Sequence, residues 1–343
     1  MSRELLTIVI PTRDRPDFLA MCLRSVFERQ SVIPHVIVSD NSTVDHPSVR
    51  ELQQQYGFTY IRQSGELSQT EHLNRCCLEL PLTPWVLMLH DDDELYPDSM
   101  HEVVSFLVDG APVGLIVGGI QLIDQGGRSR KVWMPESGGI MRGEEGLLRL
   151  GLHWQARWPG MILNVAASRQ VCGFVDVDGR AGDYIFAIRL AYRYGVAFFP
   201  QLVGRYRIGP QQATDVLSPA KAEEYLDFSV RQAELLWTLG CSKSALDRLL
   251  DYITWWTFLG IAPQWLPSHP SFVFRLAHTF ARRSPTSGPW QTRVQQRYPF
   301  LFWRPHCLAP LFLRVAQSLP RPLKRLARRR RQVRHVPQAS IAR

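Results

Sequence analysis

Trp85-Val86-Leu87-Met88-Leu89-His90-Asp91-Asp92-Asp93-Glu94 is the stretch from which the rest of the chain can be read. An apolar run of strand length ends abruptly in three aspartates and a glutamate. Adjacent carboxylates repel one another and gain nothing from an apolar core. A hard divalent cation such as Mg2+ or Mn2+, which prefers oxygen ligands, would make the cluster favourable. The carboxyl end of a buried strand is also where open α/β sheets bind ligands. The plainer alternative is an acidic strand-to-helix turn with Asp91 or Asp93 as an N-cap.

The same grammar repeats upstream. Residues 5–10 read as a buried parallel strand that Pro11 ends, followed by the polar loop Thr12-Arg13-Asp14-Arg15-Pro16. Residues 17–29 carry helical periodicity through Phe18, Met21, Cys22, Val26 and Phe27. Residues 36–39 form a second strand that runs into Asp40-Asn41-Ser42. A helix over 49–55, a strand over 58–61 and a helix over 67–80 precede the acidic stretch, and a helix over 99–107 follows it. Strand-like pieces at 113–118 and 121–123, helices near 144–150 and over 181–194, and a strand at 196–199 continue the pattern. Alternating strands and helices, with polar residues after each strand, predict a Rossmann-like, mostly parallel sheet with helices on both faces.

The 343 residues are enough for one large domain or two smaller ones. The net charge of +9 is unevenly spread. Residues 252–343 hold 16 of the 40 Lys and Arg and no Asp or Glu, leaving 24 basic against 31 acidic side chains before them. Cys22, Cys76, Cys77, Cys172, Cys241 and Cys307 show no spacing suited to zinc or a redox dithiol, so a reducing cytosol fits best. Residues 1–6 lead straight into a strand, which reads as no secretory leader. No apolar run reaches about 18 residues, so no membrane span is expected.

Taken in order, these motifs resemble the family 2, GT-A-type nucleotide-sugar glycosyltransferases. The resemblance covers roughly residues 5–214. It rests on Val9-Ile10-Pro11-Thr12-Arg13-Asp14-Arg15, Val38-Ser39-Asp40-Asn41-Ser42-Thr43, Asn74, the acidic triplet and Gly182-Asp183-Tyr184. It implies a GT-A catalytic domain over 1–215, with donor binding in 1–110 and the acceptor side in 111–215. It also implies a nucleotide diphosphate-sugar donor, UDP- or dTDP-sugar favoured, a divalent cation (Mg2+ or Mn2+), and transfer of one sugar to a hydroxyl of a glycan or lipid-linked acceptor.

Roles carry over position by position. Asp40 matches the residue that contacts the nucleobase, and Pro11, Thr12 and Arg13 match the base- and ribose-binding loop. The family's DxD motif maps onto Asp91-Asp92-Asp93, which assigns Asp93 to the metal, Asp91 to the donor and the metal, and Asp92 to the donor or the metal. Arg13, Arg15 or Arg75 would add charge-assisted hydrogen bonds to phosphate, and Asn74 would bind donor hydroxyls unless it only packs its helix. Asp183 matches the catalytic base of an inverting displacement, with Gly182 where relatives often have Glu. Its alternative role is to cap the helix that follows, and Asp176 and Asp178 are the fallback bases. The histidine that relatives place after the last core strand is missing here, leaving Arg207 or Gln211 for that contact. His90 should face away from Asp91 on an alternating strand. Gly160, Trp154, Arg157 and Trp158, with Trp133, fall where relatives bind acceptor and could offer aromatic faces to sugar rings.

Residues 216–343 read as a helical, basic and aromatic-rich region, with helices expected over 220–239 and 243–258. Residues 308–331 mix leucines and arginines between Pro310, Pro320 and Pro322, which suits an anionic membrane surface. The expected location is the inner face of the cytoplasmic membrane. Contacts between copies through the tryptophans are another use of this region. No recognisable module for specific nucleic-acid binding accompanies it. A binding protein without turnover is the remaining alternative; it would not need Asp183.

Overall fold

The structure, a computed structural model, describes residues 2–110, 112–135, 139–152, 156–174, 182–209, 236–265 and 289–297, with 273, 275, 277, 278 and 281. The chain divides into two compact units, Met1–Ile253 and Thr254–Arg343. The sheet and the candidate site belong to the first. The expected domain limit at 215 lies outside the described residues, as do 220–235 and the basic segment at 308–331.

The first half alternates α1 (Ser2–Leu5), β1 (Leu6–Thr12), α2 (Pro16–Phe27), β2 (His35–Asp40), α3 (Pro47–Tyr56), β3 (Thr59–Arg62), α4 (Gln69–Asn74) and β4 (Trp85–Met88). Then come β5 (Glu94–Leu95), α5 (Ser99–Val108), β6 (Leu115–Ile123), β7 (Ser129–Trp133), β8 (Gly139–Met141), α6 (Gly143–Gly151), β9 (Met161–Asn164), α7 (Val165–Gln170), α8 (Gly182–Tyr194) and β10 (Val196–Arg207). A long helix, α9 (Lys243–Trp265), follows. One sheet runs β3-β2-β1-β4-β9-β6-β10-β5, with β7 on β6 and β8 on β10. Its first four strands are parallel. The second half is mixed, because β9 enters antiparallel between β4 and β6.

Strand β1 is buried along its whole length. Its even residues Leu6, Ile8 and Ile10 join a core with Leu19, Leu23 and Val26 of α2 and Met100, Val103 and Leu107 of α5. Val9, also fully buried, turns to the opposite face by the two-residue alternation of a strand. Each such side chain contributes about 1.5–3 kcal/mol by leaving water. Pro11 does not end β1, which continues through it to Thr12. Val9 accepts Leu89 N–H at 2.9 Å, so the polar edge of Pro11, two residues on, faces the same neighbour. β4 has already ended there, and no ladder bond is lost.

Local signals set the helix ends. Pro47 opens α3, and Gly57 closes it at φ 71°. A capping box of Ser68 and Glu71 opens α4. The helix expected over 67–80 is in fact two pieces: after Asn74 it widens into a π turn over Arg75–Glu79.

β6 and β10 run further than their sequences suggest. Gly118 lies within β6, where a Cβ would stand 2.3 Å from Val203 Cγ2. Gly204 lies in β10, where a Cβ would stand 2.3 Å from Pro159 Cβ and 2.4 Å from its carbonyl oxygen. These glycines mark close approach rather than turns. Pro159 belongs to a 3-10 turn, Trp158–Gly160, which the bare backbone of β10 allows to lie against the sheet.

Candidate active site

Register assembles the donor side. β1 pairs β2 with Thr12 opposite Asp40, and β2 pairs β3 with Asp40 opposite Arg62. Three polar residues therefore stand in a row at the carboxyl ends of parallel strands, next to the end of β4. Thr12 Oγ1 donates to Asp91 Oδ2 at 2.7 Å. Asp40 is fully buried. Its Oδ1 accepts Ser42 N–H at 2.8 Å and pairs with Arg62 at 3.1 Å, and its Oδ2 accepts the Tyr60 hydroxyl at 2.7 Å. Burial and this carboxylate push the Tyr60 phenol up to about 12.

The loop after β1 is pinned to the loop after β2. Asp14 sits at φ 55°, donates its N–H to Ser42 Oγ at 2.7 Å and accepts Thr43 N–H at 2.8 Å. The next residue, Arg15, reaches back over the acidic triplet. Its guanidinium lies 2.5 Å from Asp91 Oδ1 and 3.2 Å from Asp92 Oδ2. Arg13 instead donates to the Leu67 carbonyl at 3.1 Å. Arg75 donates to Gln63 Oε1 at 3.0 Å.

The triplet is electrostatically crowded. Burial, opposed by Arg15, pushes the Asp91 carboxyl up to about 7. Burial and the charge of Asp92 push Asp93 well above the ordinary carboxylate range. Asp93 Oδ1 accepts the Arg207 main-chain N–H at 2.8 Å. Among the described residues, no group of three His, Cys, Asp or Glu side chains is disposed to hold an ion by itself. The donor chemistry nevertheless suits a hard cation. Such ions are often held by one or two carboxylates completed by substrate phosphates. Asp91 Oδ1 is buried and accepts no aligned hydrogen bond.

Arg207 is not available for phosphate. Its guanidinium donates to the Asp92, Asp124 and Gln125 carbonyls at 2.8, 3.1 and 2.9 Å and to Glu94 Oε1 at 2.5 Å. Arg205 and Arg29 meet the other oxygen of Glu94. This three-arginine hub on Glu94 escaped the sequence reading, although Glu94 adjoins the triplet and the Arg205-Tyr206-Arg207 run was visible. Asn74 is also committed to the fold. It donates to the Phe174 carbonyl at 2.8 Å and accepts Phe174 N–H at 2.7 Å.

Across from the triplet, Asp183 lies in the first turn of α8. Its Oδ1 accepts the N–H of the very next residue, Tyr184, at 2.8 Å, which is not the N2 or N3 bond of an N-cap. Burial raises its carboxyl, and the Arg157 guanidinium opposes that rise. Arg157 lies over the Tyr206 ring at 5.7 Å. Tyr206 lies on β10 between Arg205 and Arg207. Burial lifts its phenol to about 12, with Asp93, Asp183 and Asp92 adding to the rise and Arg157 opposing it.

The aromatic candidates divide. Trp158 is buried, with its ring 5.5 Å from His90 and 5.5 Å from Phe174, so it is core and not a platform for sugar. His90 turns to Trp158, and burial lowers its imidazole to about 4. Gly160 is buried in the same turn. Trp133 is partly exposed at the end of β7. Trp154, Asp176, Asp178 and Gln211 lie outside the described residues. Cys22, Cys76, Cys77 and Cys241 are buried free thiols and Cys172 is exposed.

Residues 7–164 match the family model described as glycosyl transferase family 2. No curated protein matches the sequence. Among solved structures, the chain resembles S. aureus TarS 1-349 in complex with UDP-GlcNAc, with TM-score 0.60 and 14% identity over 82% of each chain. It also resembles the mannosyltransferase PcManGT from Pyrobaculum calidifontis in complex with GDP-Man and Mn2+, with TM-score 0.52 and 14% identity over 88% of this chain and 82% of that one. At such identities the likeness is one of fold: the GT-A arrangement of a mixed α/β sheet with flanking helices.

Proposed function

We propose, starting from the family 2 glycosyltransferase catalytic domain that residues 7–164 match, that this protein performs a metal-dependent, inverting transfer. One sugar moves from a nucleotide diphosphate-sugar to a hydroxyl of a glycan or lipid-linked acceptor in surface polysaccharide or lipopolysaccharide synthesis. The observation that carries the reading is the polar row at the carboxyl ends of the parallel strands: Thr12 stands opposite Asp40 and bonds Asp91 of the acidic triplet at 2.7 Å. Asp183, in the first turn of α8, is the carboxylate left for the acceptor side.

In this reading Asp183 takes the proton of the acceptor hydroxyl. The oxygen attacks the anomeric carbon, and the bond to the diphosphate breaks on the opposite face, giving inversion. A cation held by Asp93 and Asp91 would offset the charge left on the diphosphate. Asp40 matches the base-contact position, where the imide N–H of uracil or thymine would share Oδ2 with the Tyr60 hydroxyl, since Ser42 and Arg62 hold Oδ1. That match is the ground for favouring a UDP- or dTDP-sugar. In the two structures of similar fold, TarS was seen with UDP-GlcNAc and PcManGT with GDP-Man and Mn2+.

The test is a donor screen that reads released nucleoside diphosphate with and without Mn2+ or Mg2+, on the native chain and on Asp183→Asn. Donor binding without turnover in the variant supports the base. Unchanged turnover would remove Asp183 from that role.

The membrane reading rests on the charge of residues 252–343, which carry 16 Lys and Arg and no acid. No helix among the described residues is long and apolar enough to cross a bilayer. Equal flotation of the full chain and of a chain ending at 305 on anionic liposomes would refute a role for the tail.

A further inference from the structure

We infer that Arg15 is a cationic gate over the acidic triplet: with no ligand bound, its guanidinium stands in for a divalent cation, and it yields that place when a cation and donor enter. The inference rests on the reading above that Asp91 helps hold the metal.

The geometry of cover carries it. The Arg15 side chain is 45% exposed and the Asp91 side chain 0%. Asp91 is therefore closed from solvent, while the group that pairs with it on that side remains half in water. Its other oxygen is held from the protein side by Thr12 at 2.7 Å. Of the groups paired with Asp91, Arg15 is the one that reaches water, so an ion arriving at Oδ1 would compete with it.

The contact is also the kind that a cation can replace. Arg15 lies 2.5 Å from Asp91 Oδ1 and donates to Asp92 Oδ2 at 3.2 Å, so it spans two carboxylates as a bridging cation would. It does not grip either one with the paired fork that makes arginine–carboxylate contacts strongest. A divalent ion in that place brings twice the charge of the guanidinium. The loop backbone has little freedom to take part, since Asp14 is tied to Ser42 and Thr43 at 2.7 and 2.8 Å. The side chain of Arg15 is thus the moving piece. Once displaced, it stays beside the cleft as a cation with free donors, suited to the diphosphate that displaced it.

The test is Mn2+ binding to the full chain without nucleotide, followed by electron paramagnetic resonance, for the native protein, Arg15→Gln and Arg15→Lys. A gate predicts that Arg15→Gln binds Mn2+ about tenfold more tightly than the native chain, the equivalent of one charge-assisted contact. Arg15→Lys, which keeps the charge, should stay near the native value. Equal affinity in all three overturns the gate and leaves the metal reading standing. If none binds Mn2+, alone or with UDP or GDP, the metal reading fails and the gate falls with it. Thermal unfolding of each variant checks that a difference in binding does not come from loss of fold.

Discussion

Arg207 gives its main-chain N–H to Asp93 Oδ1 while its guanidinium is anchored to Glu94. The residue that orients the last aspartate is therefore itself oriented by the glutamate that follows it in sequence. Glu94 is 9% exposed in its side chain, Arg207 5% and Arg205 15%, so these charges are largely out of water. Removing one member of such a group strands the others. Glu94→Gln should destabilise the protein by about 3 kcal/mol. Arg29, half exposed on the same carboxylate, should matter far less, with Arg29→Ala costing under about 1 kcal/mol. Urea denaturation of the two variants measures the contrast. Similar losses would show that the hub does not depend on burial.

Asn74 offers a choice between donor binding and architecture. Both ends of its amide are engaged by the Phe174 backbone, and Phe174 packs on Trp158 and Phe186. Asn74→Ala should cost about 2 kcal/mol through two lost, partly buried hydrogen bonds. Donor affinity should be unchanged in the variant that folds. Calorimetry with the donor decides: a collapse in affinity with normal unfolding would return Asn74 to the donor site.

How far the sequence revealed this arrangement depended on the kind of signal. β1, β2 and β4 were legible because buried parallel strands read as apolar runs and their polar ends fall together. Asp40 and the acidic triplet drew notice for that reason. The sequence hid whatever depended on partners distant in the chain. Asn74 looks like a polar helix residue until Phe174, 100 positions later, meets it. Arg207 looks like a spare cation until Glu94, Asp92, Asp124 and Gln125 absorb it. Gly118 and Gly204 depend on distant partners in another way: each lets Val203 or Pro159 lie against a continuous strand.

Gly204 makes that last point measurable. A methyl group there would meet Pro159 Cβ at 2.3 Å and its carbonyl oxygen at 2.4 Å. Neither is the flexible tip of a side chain, so the turn itself must shift. Gly204→Ala should cost about 3 kcal/mol by overpacking. Gly110→Ala, at φ 77° but with no atom within 4 Å, should cost less, since only backbone strain opposes it. A chemical denaturation midpoint for each variant gives the comparison; a neutral Gly204→Ala would mean the Trp158–Gly160 turn is free to move.

The proposed base gives the sharpest pH test. Burial holds the Asp183 carboxyl above its ordinary 3.8, and Arg157 restrains the rise. A base must lose its proton before it acts, so kcat/KM should climb with pH through this raised value. Arg157 favours the ionised carboxylate. Arg157→Gln should therefore move the acid limb to higher pH, while Arg157→Lys should leave it closer to the native position. Asp183→Asn should lower turnover by about a thousandfold and abolish the limb. Folding stability should show the matching sign. Between 3.8 and the raised pKa the folded protein binds more protons than the unfolded chain, so stability contributed by Asp183 falls as pH rises through that window. Asp183→Asn should remove that part of the slope. A pH–rate limb that ignores Arg157→Gln, together with a stability slope that ignores Asp183→Asn, would mean that some other group in the cleft takes the acceptor's proton.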